Sequence, residues 1–372
     1  MGVLQHGRAR GRPARPEAGA DERRLAPVQI VIADPPAFTP AYDHHLAAAL
    51  ARAGADVELL TSRFRFGETP AADGYVRSEP FYPISSRLFG RSRLRLPLKV
   101  LEHPFGVAAL NRRRVDVVHV QWLVPELDSR LLRPRIPSVF TAHDLLPRRT
   151  AAKEKLWRDL LARFDRVVVH SERGREALAG LDVEARVIPH PVFRSNPERR
   201  DDGRTVLCFG VIRPYKGLGD AIAAVRDAGE ARLVVAGDPL EPVDSYRAAA
   251  SGLDVDWRLG YLPESEVDRA LGEATVALFP YRPELDQSGA LLRALGAGVP
   301  AIAYDVGGIA EPVRRFGAGR VVAPGDVGAL AVAIQEVLSD PEPYRAGAMR
   351  ARDELTWDAS ARAHLELYDE IV

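Results

Sequence analysis

The chain has 372 residues, 46% hydrophobic and 27% charged, which is enough apolar material for two α/β domains and too much for one average domain. Its 51 Lys and Arg are balanced by 51 Asp and Glu, which argues against the global positive excess of proteins that bind nucleic acid in bulk. The one cysteine, Cys208, excludes an intramolecular disulfide framework and a cysteine-based zinc cluster, and its setting in VLCFG marks a buried thiol.

Residues 1–24 are rich in Arg, Ala, Gly and Pro without an apolar core, and read as a disordered tail rather than a secretory signal. No apolar run approaches the ~18–20 residues of a membrane span, so the expected location is the cytoplasm. Residues 28–33, VQIVIA, form a β-branched strand, followed by the Pro-rich loop DPPAFTPAYD. Helical spacing at Leu46, Ala49 and Leu50 then leads through Gly54 to a second strand, DVELL. Further strands fit VDVVHVQW (Val115–Trp122), SVFTAHD (Ser138–Asp144), RVVVHS (Arg166–Ser171) and ARVIPH (Ala185–His190).

Residues 191–204, PVFRSNPERRDDGR, are polar and interrupted by proline, a linker by composition. The opening pattern then repeats. Thr205–Phe209 is a strand, GVIRPYK a loop, Gly219–Ala228 a helix and ARLVVAG a strand, with TVALFPY, PAIAYD and GRVVAP to follow. Near-continuous apolar strands alternating with helices imply parallel sheets covered on both faces. The expected fold class is α/β, two Rossmann-like doubly wound domains facing across a cleft. The first domain spans 25–190 and the second 205–355.

In such sheets ligands bind beyond the C-terminal strand ends. The first loop, ADPPAFTP, has no glycine, and FGVIRPYKGLG has the wrong spacing for G-x-G-x-x-G, so neither favours nicotinamide chemistry; there is no P-loop signature either. The second loop instead offers Gly210, Arg213 and Lys216 at a strand end beside a helix start. A guanidinium and an ammonium there suit a diphosphate, although a lone R-x-x-K is more often a solvated surface turn. Lys216 is one of only four lysines in an arginine-rich chain, the others being Lys99, Lys153 and Lys155. A second anion-binding element follows TVALFPY, where QSG (Gln287–Gly289) opens a helix whose N–H groups at Ser288, Gly289, Ala290 and Leu291 point outward to cradle phosphate.

These motifs in this order resemble the C-terminal domain of GT-B glycosyltransferases, in the family-4 (group 1) retaining branch. The pieces are FGVIRPYKG, AGDP, GYLPESEVDRALGEATVALFPY, GALLRALGAGVPAIA and DVGGIAEPV, with weaker matches at VVHVQW, VFTAHDLLP, VVVHSERGREAL and VIPHPVF. The resemblance implies a nucleotide-diphospho-sugar donor on the second domain, held by Gly210, Arg213, Lys216 and the QSG helix start. It also implies a glycan or lipid-linked acceptor on the first domain, and a last helix at 356–372 that crosses back to that domain. It assigns Arg213 and Lys216 to the charge developing on the leaving diphosphate and places His143 near the reacting sugar. Glu311 matches a family glutamate near the donor pocket. His119, His170 and His190 also end strands, with His190 in PHP shaping a hinge.

The family's E-x7-E loop departs here to a QSG-type variant. Its second Glu, a ribose contact, is replaced by Arg293; its first falls at Leu285, leaving Glu284 as the candidate sugar-contacting carboxylate beside Asp286. No D-x-D motif stands where a metal-dependent transferase needs one, so neither a metal nor another cofactor is expected. Retention is expected to proceed with the leaving phosphate oxygen deprotonating the acceptor on the same face.

The segment Arg87–Arg114 carries eight basic residues against one acid, Glu102, interleaved with Leu, Val and Phe. Arg87, Arg91, Arg93, Arg95 and Lys99 form a patch suited to peripheral contact with an anionic membrane, or simply a solvated face. By family analogy the setting is cell-surface polysaccharide or glycolipid assembly. A nucleotide-sugar 2-epimerase, or a non-catalytic sugar-nucleotide binding protein of the same fold, remains the alternative.

Overall fold

In a computed structural model, the described residues are 26–65, 67–88, 95–144, 153–282 and 287–372. The predicted tail at 1–24 lies outside them, as do Glu284, Leu285 and Asp286 of the second-domain loop and Arg91 and Arg93 of the basic patch.

Runs such as QIVIAD and RLVVAG are buried along almost their whole length, so they pack apolar side chains on both faces of a sheet. The first sheet holds β1 (Gln29–Asp34), β2 (Asp56–Ser62), β3 (Val76–Phe81), β4 (Val117–Val120), β5 (Ser138–Thr141), β6 (Arg166–Val169) and β7 (Ala185–Val187). Their spatial order is β3-β2-β1-β4-β5-β6-β7, with every pairing parallel. The second sheet holds β8 (Thr205–Phe209), β9 (Arg232–Gly237), β10 (Val255–Leu259), β11 (Val276–Phe279), β12 (Ala301–Tyr304) and β13 (Gly319–Val322). Its order, β10-β9-β8-β11-β12-β13, is again wholly parallel. Two doubly wound α/β units result, each with its strand order reversing at a switch point, β1/β4 in one and β8/β11 in the other. Crevices form at those points, because the flanking loops turn away to opposite sides.

Strands β3 and β10 are absent from the sequence reading. Both are sheet edges. VRSEPF alternates charge with apolar residues and contains a proline, and VDWRL is half-buried throughout, so neither has the apolar density that marks a central strand.

The chain crosses between the sheets twice. Residues 188–204 carry no regular element, and Val192, within them, packs into the core of the second sheet. At the other crossing the helix Glu342–Glu354 stops, and Leu355 accepts the Val192 N–H. Trp357–Asp369 then forms a helix against Pro40–Arg52 of the first unit, with Ala361, Leu367 and Tyr368 sharing a core with Leu46 and Leu50. Tyr368 also fixes His119, whose ring nitrogens meet the Tyr368 hydroxyl at 2.6 Å and Thr141 Oγ1 at 2.7 Å. His119 is therefore a fully buried strut rather than a cleft residue. His190 sits where the two crossings meet, its ring among Tyr42, Phe193 and Trp357.

Candidate active site

At the end of β8 the backbone turns through Gly210, whose φ is +113°. The next strand end lies so close that a Cβ on Gly237 would sit 1.9 Å from the Gly210 carbonyl oxygen. Arg213 is extended, Pro214–Lys216 make one 3-10 turn, and Gly217 at φ +68° starts the helix Leu218–Ala228. A Cβ on Gly217 would fall 1.9 Å from Pro280 O, so only glycine lets this loop press against the one after β11.

That approach couples the two anion-binding elements. Lys216 Nζ donates to the Tyr281 hydroxyl at 2.6 Å, above the ring at 3.8 Å from its centroid. The same hydroxyl lies 3.1 Å from Ser288 Oγ, and Ser288 caps the helix Gly289–Gly296 by accepting the Leu291 N–H. The cradle is therefore narrower than the sequence implies. Leu291 is engaged, whereas Gly289 and Ala290 head the helix without intrahelical acceptors. Arg213 is exposed, and its side chain makes no hydrogen bond or ion pair among the described residues, although its carbonyl accepts the Lys216 N–H. Loop, lysine and helix start thus converge on the β8/β11 switch point.

Arg293, standing where the sequence lacks a glutamate, forms a two-pronged ion pair with Glu264 at 2.5 and 3.0 Å and lies over Phe193. Its charge is matched by an acid from another helix, Glu264–Glu273. Glu311 reaches across to the first unit. Its carboxylate accepts the backbone N–H groups of Glu172 and Arg173, at 3.1 and 3.0 Å, and so caps a first-unit helix from the second unit. Arg173 adds an ion pair to Asp305 at 2.7 Å.

Between the units lies a cleft of about 780 Å³, lined from the first unit by Phe38, Trp122 and His143 and from the second by Tyr261, Glu264 and Gln287. Phe38 follows β1 and is 63% exposed, its ring edge-on to Trp122 at 5.2 Å. Trp122 stacks on His143 at 5.5 Å and donates from Nε1 to Thr39 Oγ1.

The histidine protonation follows from one carbonyl. Ile188 O can only accept, so His170 Nδ1, 2.9 Å away, carries a proton. Neutral His170 then accepts at Nε2 from His143 Nδ1, at 3.3 Å. His143 Nε2 lies 2.8 Å from Gln121 Oε1, and with that amide turned so that its otherwise unpartnered NH2 group faces the ring, Nε2 accepts. Burial, with His170 and His190 nearby, holds His143 well below the usual histidine pKa. Hydrogen-bonded at both ring nitrogens, His143 lines the wall of the cleft.

Of the basic patch, Arg87 is exposed and Arg95 and Lys99 lie on the helix Arg95–Asn111. Lys99 is tucked over the Tyr82 ring at 4.2 Å, and burial lowers its pKa to about 8. Glu102 turns inward to accept the Ile84 and Ser85 N–H groups, which removes the patch's one acid from the surface. The outward face is apolar: Leu101 and Phe105 are 68% and 77% exposed, with Leu96 and Val100 alongside. The sequence reading missed this stripe, together with Phe38, Trp122 and Tyr281. All three aromatics stand at or just past strand ends, and that position was the available signal.

Two family models match the chain, Glycosyltransferase Family 4 over residues 42–194 and Glycosyl transferases group 1 over 203–340. A 2-deoxystreptamine glucosyltransferase of Streptomyces kanamyceticus is 31% identical over 182 residues, 46% of this chain and 47% of that protein. The chain thus spans about half the length of that curated relative. A D-inositol 3-phosphate glycosyltransferase of Rhodococcus opacus is 25% identical over 367 residues, covering 86% of this chain and 82% of the relative. Among solved structures, sucrose-phosphate synthase of Thermosynechococcus elongatus superposes with a TM-score of 0.72 at 21% identity, covering 92% of this chain and 98% of that one. HepE of Anabaena, in complex with UDP and glucose, gives 0.67 at 15% identity over 92% and 100% of the two chains. The fold is that of the GT-B enzymes. With one family model on each of its two units, the chain belongs to the group 1, family 4 glycosyltransferases.

Proposed function

We propose that the protein transfers a sugar from a nucleotide-diphospho-sugar to a hydroxyl of a glycan or lipid-linked acceptor, with retention at the anomeric carbon. The observation that carries this reading is the Lys216–Tyr281–Ser288 chain, which joins a cationic loop to a helix N-terminus at the β8/β11 switch point. The bond from the anomeric carbon to the β-phosphate oxygen breaks, and the acceptor oxygen bonds to that carbon on the same face. The departing phosphate oxygen takes the acceptor proton. Charge growing on the diphosphate meets Lys216 and the N–H groups of Gly289 and Ala290, which the Tyr281–Ser288 link fixes beforehand, and the exposed Arg213, without a divalent metal in the scheme. Glu284 is the proposed sugar contact from the adjoining loop.

Solved relatives of the same fold are described with UDP, UDP-glucose or ADP bound, in keeping with a nucleotide donor. On the acceptor side, the exposed Phe38 and the half-buried Trp122 line the cleft and offer aromatic surface to a sugar. No helix among the described residues is long and apolar enough to cross a membrane. The Leu101/Phe105 stripe, on the helix that also carries Arg95 and Lys99, suits peripheral contact with an anionic membrane, where an acceptor for surface polysaccharide or glycolipid assembly resides.

The test is incubation with UDP-, GDP- and ADP-sugars, with and without lipid extract, in excess EDTA. Acceptor-stimulated release of nucleoside diphosphate is the expected result. Sugar epimerisation without release, or release that requires added Mg²⁺ or Mn²⁺, would overturn the reading.

A further inference from the structure

Beneath the aromatic wall of the cleft lie two carboxyls that the transfer chemistry does not use. Asp34 ends β1 and Asp43 opens the helix Pro40–Arg52; they are 0% and 1% exposed and in side-chain hydrogen-bond contact. Asp34 Oδ2 accepts the Thr39 N–H at 3.1 Å, while Oδ1 meets no donor from another group among the described residues. The Thr39 hydroxyl donates toward Asp43 Oδ1 at 3.4 Å, and accepts from Trp122 Nε1 at 2.9 Å. Between the two acids, Ala37 is held at φ +53°, a left-handed conformation that an alanine adopts only when its surroundings impose it. Ala37 N–H closes the turn onto Asp34 O, and the next residue is Phe38.

We propose that Asp34 and Asp43 share a single proton, and that this carboxyl–carboxylate pair is the positioning device that holds Phe38, Thr39 and Trp122 in the acceptor wall. Two ionised carboxyls cannot coexist at this depth, and two neutral ones would leave Thr39 N–H without its anionic acceptor. Burial raises both groups above the ordinary carboxylate range, Asp43 the more so because Asp34 faces it. Arg77 on β3, Tyr75 and Tyr42 face Asp43, and Lys99 on Arg95–Asn111 and the Tyr82 phenol feel Asp34. Arg77 also donates to Thr69 Oγ1 and Pro70 O, which line the same cleft, so loss of the proton would disturb a second segment of its lining.

The proposal rests on the reading of this wall as the acceptor side, but its test needs neither donor nor acceptor and so can fail independently. The protein is labelled with 5-fluorotryptophan, and the Trp122 resonance is identified by its loss in Trp122→Phe. Asp43→Asn presents an N–H donor to Asp34 in place of the shared proton and cannot ionise. On titration from about pH 5 to about pH 9, the wild-type Trp122 resonance should shift as the shared proton is lost. Asp43→Asn should not show this shift, and Asp34→Asn, the second variant, should behave alike. A wild-type resonance that does not move, or one that moves equally in both Asn variants, overturns the proposal.

Discussion

The Lys216 ammonium donates to the Tyr281 hydroxyl across two loops that a single glycine, Gly217, allows to touch. Tyr281 is 2% exposed, and burial raises its phenol pKa, so it stays protonated and passes its own hydrogen bond on toward Ser288. Tyr281→Phe keeps the packing and removes the link. Turnover of donor should fall by about tenfold, the scale of one hydrogen bond to a charged group, with little change in thermal midpoint. Steady-state nucleoside diphosphate release measures it; an unchanged rate would mean that Lys216 finds its place without the tyrosine.

Glu311 caps the helix Glu172–Ala179 from the opposite unit, so its carboxylate bridges the two sheets. Glu311→Ala should leave each sheet intact but uncouple them. The expected signature is faster hydrogen exchange at the Glu172 and Arg173 amides, with protection in β1 and β8 unchanged. Equal exchange in wild type and variant would show that the Arg173–Asp305 pair holds the interface alone.

Acid should destabilise the protein through its buried histidines. His170 and His364 are lowered to about 4 by burial, and His143 and His119 fall well below their usual value for the same reason. The unfolded chain, with histidine pKa about 6.5, binds protons that the folded chain refuses. Stability is therefore complete above that value and lost as pH falls toward about 4. His170→Gln retains a donor for Ile188 O and cannot protonate, so its thermal midpoint should fall less between about pH 6.5 and about pH 4.5 than that of wild type. Parallel curves would remove His170 from the account.

The central strands were legible because burial on both faces leaves a run of Val, Ile and Ala that little else produces. Edge strands β3 and β10 were not, since one exposed side admits Arg, Glu and Pro. The R-x-x-K loop and the QSG helix start were visible as separate cationic and N-terminal elements. Their connection through Tyr281 was not, because it depends on a contact 65 residues apart in sequence. Glu311 shows the opposite limit. Its motif was plain, yet its two hydrogen bonds run to backbone groups of another unit, which no local pattern encodes.

The exposed stripe on Arg95–Asn111 supports a test at the membrane. Wild type should sediment with anionic liposomes and release as salt rises, since the Debye length is about 8 Å at physiological ionic strength. Leu101→Glu with Phe105→Glu should abolish sedimentation while leaving donor turnover in solution unchanged, because both side chains face outward, away from the cleft. Sedimentation of the double variant equal to that of wild type would assign the interaction to another surface.

Lys216 is the sharpest point of the reading. Lys216→Ala should lower turnover by about 10²–10³, the scale for losing one fixed group that stabilises developing charge. The fold should hold, because a partly exposed loop cation adds little to stability. Lys216→Arg should also be impaired. The ammonium sits over the Tyr281 ring in a loop held by Gly217 against Pro280, and a planar guanidinium there must displace the loop or the tyrosine. Arg213→Ala should resemble Lys216→Ala, although Arg213 is exposed and engaged by no side chain among the described residues. The double variant should fall short of the summed loss, because both cations act on one diphosphate. Rates within a few-fold of wild type for Lys216→Ala, measured with the donor that the nucleotide-sugar panel selects, would contradict the assignment of this loop to the leaving group.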